Sequence, residues 1–382
     1  MKKNIIFGAG QIGRVALETI GEENIAFFID NNELLWGTHI RSIEVKPVDA
    51  LLKVHNDEYR ILVASKYYES MSNQLNKMGI KEFDIFEEYY ANDAIVINPY
   101  EDNNMRDISE DEWNNRDMSA MYRAINDEVE KWKDGDKIFD RIEIETINRC
   151  NGECDFCPVN RNSDPRELHI MSDELFERII AQLEELNYSG HLALFCNNEP
   201  FVDKKIIERH RYAREKLPHA KINMYTNGTL LTVEKFQEII DYLDELVIDN
   251  YNENLELNET SKLILNYCEK HPEYKKKVTI VLRNPHEVLS TRGGDAPNRH
   301  KMISYGDVKC PLPFKQMIVR PDGKVSLCCN DPLGKNTLGD LEKNSILEVW
   351  TSQKFKTVRR CLEQGRREWK HCMYCDFFSV GE

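Results

Sequence analysis

The stretch Cys150-Asn-Gly-Glu-Cys154-Asp-Phe-Cys157 places three thiols on one short loop and supplies no fourth cysteine. Tetrahedral zinc sites are normally closed by four protein ligands, whereas a [4Fe-4S] cluster held by three cysteines keeps one iron open for another molecule. The spacing therefore predicts an open iron–sulfur cluster. The alternative is a zinc knuckle or a chance group of cysteines.

The spacing Cys-x3-Cys-x2-Cys, with the aromatic Phe156 before the third cysteine, resembles the signature of the radical S-adenosylmethionine (SAM) superfamily. The resemblance implies a [4Fe-4S] cluster held by Cys150, Cys154 and Cys157, with SAM bound at the open iron. It further implies that SAM is cleaved to a 5′-deoxyadenosyl radical, which takes a hydrogen atom from the substrate.

The composition favours a multidomain protein that acts on a small molecule. A chain of 382 residues exceeds one ordinary hydrophobic core. Its formal charge of −15 argues against nucleic acid or an anionic membrane as a partner. The apolar run Ile5–Phe7 is too short for a signal peptide or a membrane span, so we expect a cytoplasmic protein. Eleven cysteines at short spacings indicate metal or cluster ligation rather than disulfides.

Strand and helix patterns alternate from residue 139 onward, which predicts parallel strands joined by crossover helices. The predicted strands are Arg141–Glu145, His191–Phe195, Lys221–Tyr225, Glu245–Asp249 and Lys277–Leu282. The resemblance implies that they build an α/β fold, a partial (β/α)6 barrel over residues 137–288, with its chemistry at the carboxyl ends of the strands.

Polar groups follow the second and third of these strands. Cys196-Asn-Asn-Glu199-Pro resembles the Gly-Gly-Glu segment of the family. The resemblance implies that Glu199 and Asn198 hold the methionine part of SAM, with asparagines in place of the glycines. Thr226-Asn227-Gly resembles a ribose-contacting stretch, although a plain turn is an equal alternative. Asp249 ends the fourth strand, where it either faces a ligand or caps a helix.

The C-terminal cysteines form a second group. Cys310 is followed by twelve residues, Gly323, four residues and Cys328, and Cys372 and Cys375 close the chain. This order resembles the SPASM and Twitch auxiliary-cluster domains and is assigned to residues 289–382. The resemblance implies one auxiliary [4Fe-4S] cluster with four cysteine ligands and a role in electron transfer, and the alternative is a structural zinc.

Three residues besides the predicted cluster ligands are candidates for chemistry. Arg292, in a segment that bridges barrel and auxiliary domain, is the candidate catalytic residue because a guanidinium steadies an alkoxide or phosphate, with a surface ion pair as the alternative. Cys196 and Cys329 are candidate hydrogen-atom donors, although a free cysteine is more often a small buried apolar residue.

The N-terminal residues 1–92 predict a Rossmann-like domain. A short strand runs into the turn with Gly8, Gly10 and Gly13, a helix follows, and the next strand ends at Asp30. The stretch resembles domains that precede bacterial sugar-pathway enzymes, so the three glycines and Asp30 are a candidate nucleotide or nucleotide-sugar site. The alternative is a sheet that binds nothing. Residues 93–136 are predicted to form an acidic connector and a helix.

The combined resemblance implies a radical SAM oxidoreductase that oxidises a carbinol to a ketone on a sugar, aminocyclitol or nucleotide-sugar. An electron donor such as flavodoxin or ferredoxin would reduce the first cluster. A redox-neutral sugar epimerase and a peptide-modifying enzyme are the alternatives, and an iron–sulfur or zinc scaffold without catalysis is the non-enzyme alternative.

Overall fold

The computed structural model describes residues 2–54, 59–65, 68–86, 95–100, 118–133 and 138–378, and the statements below concern these residues. The chain divides into two compact units, Met1–Ala94 and Ile95–Glu382. The predicted connector over residues 98–116 lies almost wholly outside the described residues. The predicted division between residues 137–288 and 289–382 stays a prediction.

The first unit is a mostly parallel sheet with helices. Its strands are β1 (Lys3–Phe7), β2 (Ile25–Asp30), β3 (His39–Ile40), β4 (Ile43–Pro47), β5 (Tyr59–Val63) and β6 (Asp84–Ile85), and its helices are α1 (Gln11–Ile20) and α2 (Tyr68–Lys77). The order is β3-β4-β2-β1-β5-β6, with only the β3–β4 pair antiparallel. The five parallel strands follow the order 3-2-1-4-5 of doubly wound folds.

Strand β1 shows why this sheet is buried on both faces. Ile5 and Phe7 pack into one apolar cluster, while Ile6 packs into another on the opposite face. A strand that is apolar on both sides is typical of a parallel sheet covered by helices or turns.

The second unit contains a nine-stranded sheet. Its strands are β7 (Val96–Ile97), β8 (Arg141–Ile144), β9 (His191–Ala193), β10 (Lys221–Thr226), β11 (Glu245–Tyr251), β12 (Val278–Arg283), β13 (Gln316–Val319), β14 (Lys324–Ser326) and β15 (Thr337–Asp340). Its helices are α3 (Ser119–Lys133), α4 (Asp173–Glu185), α5 (Ile206–Lys216), α6 (Val233–Ile239), α7 (Glu259–Lys270), α8 (Leu312–Lys315), α9 (Ile346–Trp350) and α10 (Gln353–Gln364).

The strand order β15-β14-β13-β8-β9-β10-β11-β12-β7 is an open sheet whose strands from β13 to β7 are parallel. The five predicted barrel strands are all present, with ends displaced by one or two residues. The predicted α/β architecture with a partial barrel is therefore confirmed, and the barrel is not closed. Four strands of this sheet were not predicted as members of it: β7 extends it beyond β12, β13 pairs with β8, and β14 and β15 continue it beyond β13.

The crossover helices begin at side-chain caps. The Ser172 hydroxyl accepts the N–H of Leu175 at α4, Thr232 caps α6, and Asn258 caps α7. Each cap satisfies an N–H that the helix leaves unpaired and so fixes the residue at which the helix begins. The loops that follow the strands' carboxyl ends therefore have defined end points. These loops carry the predicted site residues.

Candidate active site

The three thiols of the first group lie in the loop between β8 and α4 and are partly exposed. The N–H of Gly152 donates to Cys150 Sγ at 3.2 Å. A side chain at Gly152 would lie 3.3 Å from that sulfur and 4.0 Å from Cys154 Sγ, so the loop wraps closely around the thiols. Burial, together with the charges of neighbouring thiolates, raises the pKa of Cys150 and Cys154 to about 12. Such a donor set fits a cationic iron cluster, because bound metal replaces the thiol protons.

Asn160 holds the end of this loop and was not recognised in the sequence. Its Nδ2 donates to the carbonyls of Cys154 and Cys157 at 3.2 and 3.1 Å. Its Oδ1 accepts the N–H groups of Asn162 and Ser163. A turn-forming asparagine three residues after the last cysteine is the sequence signal that could have identified it.

Glu199 lies at the carboxyl end of β9 and is joined to the end of β10. Its Oε1 accepts the Thr226 hydroxyl at 2.7 Å and the Phe201 N–H at 3.1 Å, and its Oε2 accepts the Asn227 N–H at 2.7 Å. The Asn227 side chain in turn donates to Asn151 Oδ1 at 2.9 Å, within the cysteine loop. The structure thus brings the predicted residues Glu199, Thr226 and Asn227 together beside the three thiols.

Burial raises the pKa of Glu199 to about 7, although the three hydrogen bonds that Glu199 accepts each lower it. The nearby Asp249 carboxylate raises it further. None of the groups that act on Glu199 in this way is a cation. A buried carboxylate without a positive partner is costly. The ammonium group of a ligand would supply the missing charge, so the site fits the methionine part of SAM.

The two asparagines before Glu199 differ in their contacts. Asn198 Oδ1 accepts the Cys196 N–H at 3.0 Å, while its Nδ2 is buried with no hydrogen-bond partner among the described residues. Asn197 Nδ2 donates to Cys196 Sγ and to the Cys329 carbonyl, both at 3.1 Å. Asn198 therefore keeps a free donor near the cavity, whereas Asn197 links the barrel to the second cysteine group.

Arg292 lies on the same link. It has a backbone φ of 50°, which is rare for a residue other than glycine. Its Nη1 donates to Asn197 Oδ1 at 3.1 Å and to the Cys329 carbonyl at 3.4 Å. These bonds fix the guanidinium at the wall of the cavity without pairing it to a carboxylate.

A cavity of about 220 Å³ joins these groups. Its lining residues are Cys150, Gly152, Cys154, Phe156, Cys157, Val159, Asn160, Phe195, Cys196, Asn197, Asn198, Glu199, Tyr225, Thr226, Asn227, Asp249, Tyr251 and Arg292. Of these residues, Asp249 and Tyr251 stand on β11, and burial raises the pKa of Asp249 to about 6. The thiol group and the polar strand ends therefore face one common space.

Strand β8 carries charges that the sequence analysis did not assign to the site. The Glu143 carboxylate is buried and accepts Arg141 Nε at 2.7 Å and Gln316 Nε2 at 2.8 Å. Burial raises the pKa of the Cys196 thiol well above its usual value, and Glu143, to which that thiol hydrogen-bonds, raises it further. Glu145 accepts the Asn197 N–H at 2.6 Å. Charged residues at every second position of a strand with buried isoleucines between them are the signal that one face lines the barrel interior.

The second cysteine group comes from three separate segments. Cys310 precedes α8, Cys328 follows β14, and Cys372 and Cys375 follow α10. Burial raises the pKa of Cys328 well above its usual value, and the charges of Cys329 and of the other three thiols of the group raise it further. The turn with Gly323, at φ +74°, connects β13 to β14 and brings Cys328 back along the sheet.

Within the described ranges, no three His, Cys, Asp or Glu side chains are arranged as the ligands of one metal ion.

The glycine turn of the first unit is governed by close packing. A side chain at Gly13 would overlap the Gly8 carbonyl oxygen, and Gly8 has a φ of +115°. Gly10 has open space around it. The Asp30 carboxylate accepts the N–H groups of Ala9 and Asn32, both at 2.7 Å. Asp30 therefore stands beside the turn, as the motif requires, and also stabilises the turn itself.

Comparison with protein families identifies the second unit. The radical SAM superfamily matches residues 144–281, and the SPASM iron–sulfur cluster-binding domain matches residues 310–376. The chain therefore carries a radical SAM domain followed by a SPASM domain. The predictions of a radical SAM enzyme, of an auxiliary-cluster domain, and of two [4Fe-4S] clusters and SAM as cofactors are thereby confirmed. Residues before 144 lie outside both family matches.

Among relatives of this radical SAM protein is the S-adenosyl-L-methionine-dependent 2-deoxy-scyllo-inosamine dehydrogenase of Niallia circulans. It is 29% identical over 246 residues, which are 64% of this chain and 96% of the relative. A crystal structure of BtrN in complex with AdoMet and 2-DOIA is 26% identical with a TM-score of 0.55, covering 64% of this chain and 95% of that chain. A structure of BtrN in an open conformation is 22% identical with a TM-score of 0.48, covering 64% and 94%.

Across the described residues, no helix combines the length and apolar character needed to cross a bilayer.

Proposed function

We propose that this radical SAM protein is an oxidoreductase that oxidises a carbinol of a carbohydrate-type substrate to a ketone, with an aminocyclitol as the favoured class. The observation that carries the proposal is the similarity to the inosamine dehydrogenase over 96% of that protein's length. The cavity lined by the first cysteine group supports it, because its wall residues Asn197 and Arg292 are hydrogen-bonded to the carbonyl of Cys329, next to Cys328 of the second group. The reaction needs a radical source and an electron acceptor that both lie near the substrate.

In this proposal Cys150, Cys154 and Cys157 hold the SAM-binding cluster, and the four cysteines of the second group hold the auxiliary cluster. When bound, SAM and the first cluster supply the radical that removes hydrogen from the substrate. Glu199 binds the ammonium group of SAM, and the free Nδ2 of Asn198 donates to the carboxylate of the SAM methionine part. Thr226 and Asn227 hold Glu199 in position through their hydrogen bonds. The raised pKa of Glu199 supports this role, since a cation stabilises its ionised form.

Arg292 is the proposed catalytic residue of the chain. The guanidinium, fixed by Asn197 and the Cys329 carbonyl, stabilises negative charge on the substrate oxygen as the hydroxyl proton leaves. Arg292→Gln should lower product formation roughly 100-fold or more, while SAM binding stays unchanged. Equal losses of product formation and of SAM affinity would assign Arg292 to SAM binding instead.

The remaining parts of the proposal concern partners. Flavodoxin or ferredoxin is the proposed electron donor, and the cytoplasm is the proposed compartment. In the first unit, Gly8, Gly10, Gly13 and Asp30 are the proposed nucleotide or nucleotide-sugar site. The open space at Gly10 supports it, because a ligand can approach that backbone closely.

A redox-neutral epimerase is a second candidate because of one observation. Cys196 lines the cavity, and its thiol is hydrogen-bonded to Glu143. A protonated thiol in that place is a hydrogen-atom donor for a substrate radical. Cys196→Ala should abolish product in an epimerase but leave a dehydrogenase active.

The deciding experiment measures 5′-deoxyadenosine formed by anaerobically reconstituted protein with SAM and reductant. Sugars, aminocyclitols, nucleotide-sugars and peptides are compared. Stimulation by an aminocyclitol or sugar, with a product two mass units lighter because two hydrogens are lost, supports the dehydrogenase. Stimulation without a change of mass supports the epimerase, and stimulation by peptides alone refutes the proposed substrate class.

A further inference from the structure

Arg366 is a buried charge beside the second cysteine group. It is 1% exposed and is the largest fully buried side chain among the described residues. The preceding Gly365, at φ +134°, ends α10, and a side chain there would overlap the Gly306 carbonyl oxygen. The chain therefore leaves the helix in a conformation that only glycine adopts readily, and Arg366 turns into the core.

The hydrogen bonds of Arg366 all go to uncharged groups. Its guanidinium donates to the carbonyls of Lys309 at 3.4 Å, of Phe377 at 2.9 Å and of Cys375, and it lies over the Phe378 ring at 5.1 Å. Two of these carbonyls belong to Cys375 itself and to the residue before Cys310. Burying a cation with only neutral partners is costly, so a negative group should balance it.

The thiols of the second cysteine group would become negative on binding a cluster, and Arg366 is hydrogen-bonded to the backbone of Cys375 itself and of the residue before Cys310. Two carboxylates stand beside the same group, because Asp376 follows Cys375 directly and the Asp331 N–H donates to the Cys328 carbonyl at 3.1 Å. Asp331 already accepts the backbone N–H groups of Lys335 and Asn336, and Asp376 accepts the backbone N–H and the hydroxyl of Thr291. Arg366 is thus a fixed positive charge in an otherwise negative surrounding.

We propose that Arg366 is the counter-charge of the auxiliary cluster and favours its reduced state. A shell of four thiolates makes the cluster anionic, and reduction adds a further negative charge, which a fixed cation stabilises. The inference rests on the proposed function in one respect. In the dehydrogenation the substrate carbinol loses one hydrogen atom to the 5′-deoxyadenosyl radical, one proton from its hydroxyl, and one electron to this cluster, which leaves a ketone.

The test is a redox titration that needs no substrate. The full chain with Cys150, Cys154 and Cys157 replaced by alanine retains only the auxiliary cluster, whose reduction is followed by electron paramagnetic resonance after anaerobic reconstitution. Arg366→Gln removes the charge, and Arg366→Lys keeps it. Arg359→Gln is the matched control, because Arg359 also donates to two backbone carbonyls and lies 3.9 Å from the Trp350 ring centre, away from the thiols.

We expect Arg366→Gln to lower the equilibrium constant for one-electron reduction at least tenfold, which is about 59 mV. Arg366→Lys and Arg359→Gln should stay within a factor of about three of the parent. If Arg366→Gln does not retain the iron of the auxiliary cluster while Arg366→Lys does, the cluster requires a positive charge at this position, which also supports the proposal. An unchanged potential in Arg366→Gln, or equal loss of iron from both Arg366 variants, overturns the proposal in favour of a purely structural role. If Arg366→Gln shifts the potential as expected but the parent protein with both clusters oxidises none of the substrates in the panel, the proposed function alone is refuted.

Discussion

SAM binding should depend on pH through Glu199. Because burial raises the pKa of Glu199 to about 7, the carboxylate is mostly ionised at pH 8 and mostly protonated at pH 6. Only the ionised form pairs with the SAM ammonium group. The affinity should therefore fall about tenfold from pH 8 to pH 6, which corresponds to about 1.4 kcal/mol of binding free energy.

The same shift has the opposite sign for the stability of the ligand-free protein. A carboxyl group whose folded pKa lies above its ordinary value of 4.5 binds a proton more tightly when folded. This one group should therefore stabilise the fold as the pH falls from about 7 toward 4.5, by roughly 3 kcal/mol at most. SAM should remove much of this dependence, because its ammonium group compensates the buried charge.

The variant Glu199→Gln removes the charge of this side chain while keeping its size, so it tests whether the charge itself is needed for SAM binding. It should weaken SAM binding roughly 10- to 100-fold at pH 8 through loss of a charge-assisted hydrogen bond, and it should abolish the pH dependence. Asp203→Asn is the control, since Asp203 is an equally buried carboxylate that pairs with Arg209 and does not line the cavity. Affinity is measured by anaerobic equilibrium binding of SAM to the reconstituted protein between pH 6 and 8.

Two results would refute this reasoning. A SAM affinity that stays constant from pH 6 to pH 8 in the parent protein would mean that Glu199 is ionised throughout or does not bind the ammonium group. A pH dependence that persists in Glu199→Gln would assign the titration to another group.

Three further predictions follow from the geometry. Thr226→Val removes the hydroxyl that donates to the Glu199 carboxylate at 2.7 Å. Because that hydrogen bond favours the ionised form of Glu199, the midpoint pH of SAM binding should move upward, and an unchanged midpoint would contradict the contact. Gly13→Ala should destabilise the first unit by about 2 kcal/mol or more, because the added methyl group overlaps the Gly8 carbonyl, whereas Gly10→Ala should cost less than about 1 kcal/mol. Hydrogen exchange of the amides in strand β1 measures both losses of stability, and equal losses would contradict the packing argument. Cys375→Ala should lower the iron content from about eight to about four per chain and abolish oxidised product while SAM cleavage continues, and full activity would exclude an auxiliary role for that thiol.

Much of the barrel could be predicted because each of its strands carries its own signal. Arg141–Ile144 and Lys221–Thr226 are short strand patterns bounded by loops, and the helices between them have long apolar stripes and clear caps. Such local patterns do not depend on distant residues. The cysteine spacing was equally local, which is why the first thiol group was found from eight consecutive residues.

The features that were missed depend on pairing between distant segments. Val96–Ile97 is too short to predict as a strand and becomes one only beside Ile280 and Val281. Gln316–Val319 could be predicted as part of a hairpin, but its parallel partner Arg141–Ile144 lies far away in the sequence. Similarly, Glu143 is interpretable as a site residue only once its face of β8 is known to be interior.

The pairing of β13 with β8 brings the segment that carries Cys328 next to the cavity lined by the first cysteine group. Because β14 returns antiparallel along β13, the chain after Ser326 runs back over the sheet, and Cys328 is followed directly by Cys329. The Cys329 carbonyl accepts hydrogen bonds from Asn197 and Arg292, which both line the cavity. Cys328, one of the proposed auxiliary ligands, is thus one residue away from a contact with the cavity wall. Under the proposed function, an electron leaving a substrate radical beside Arg292 would pass to the second thiol group by way of this contact, in competition with the return of a hydrogen atom.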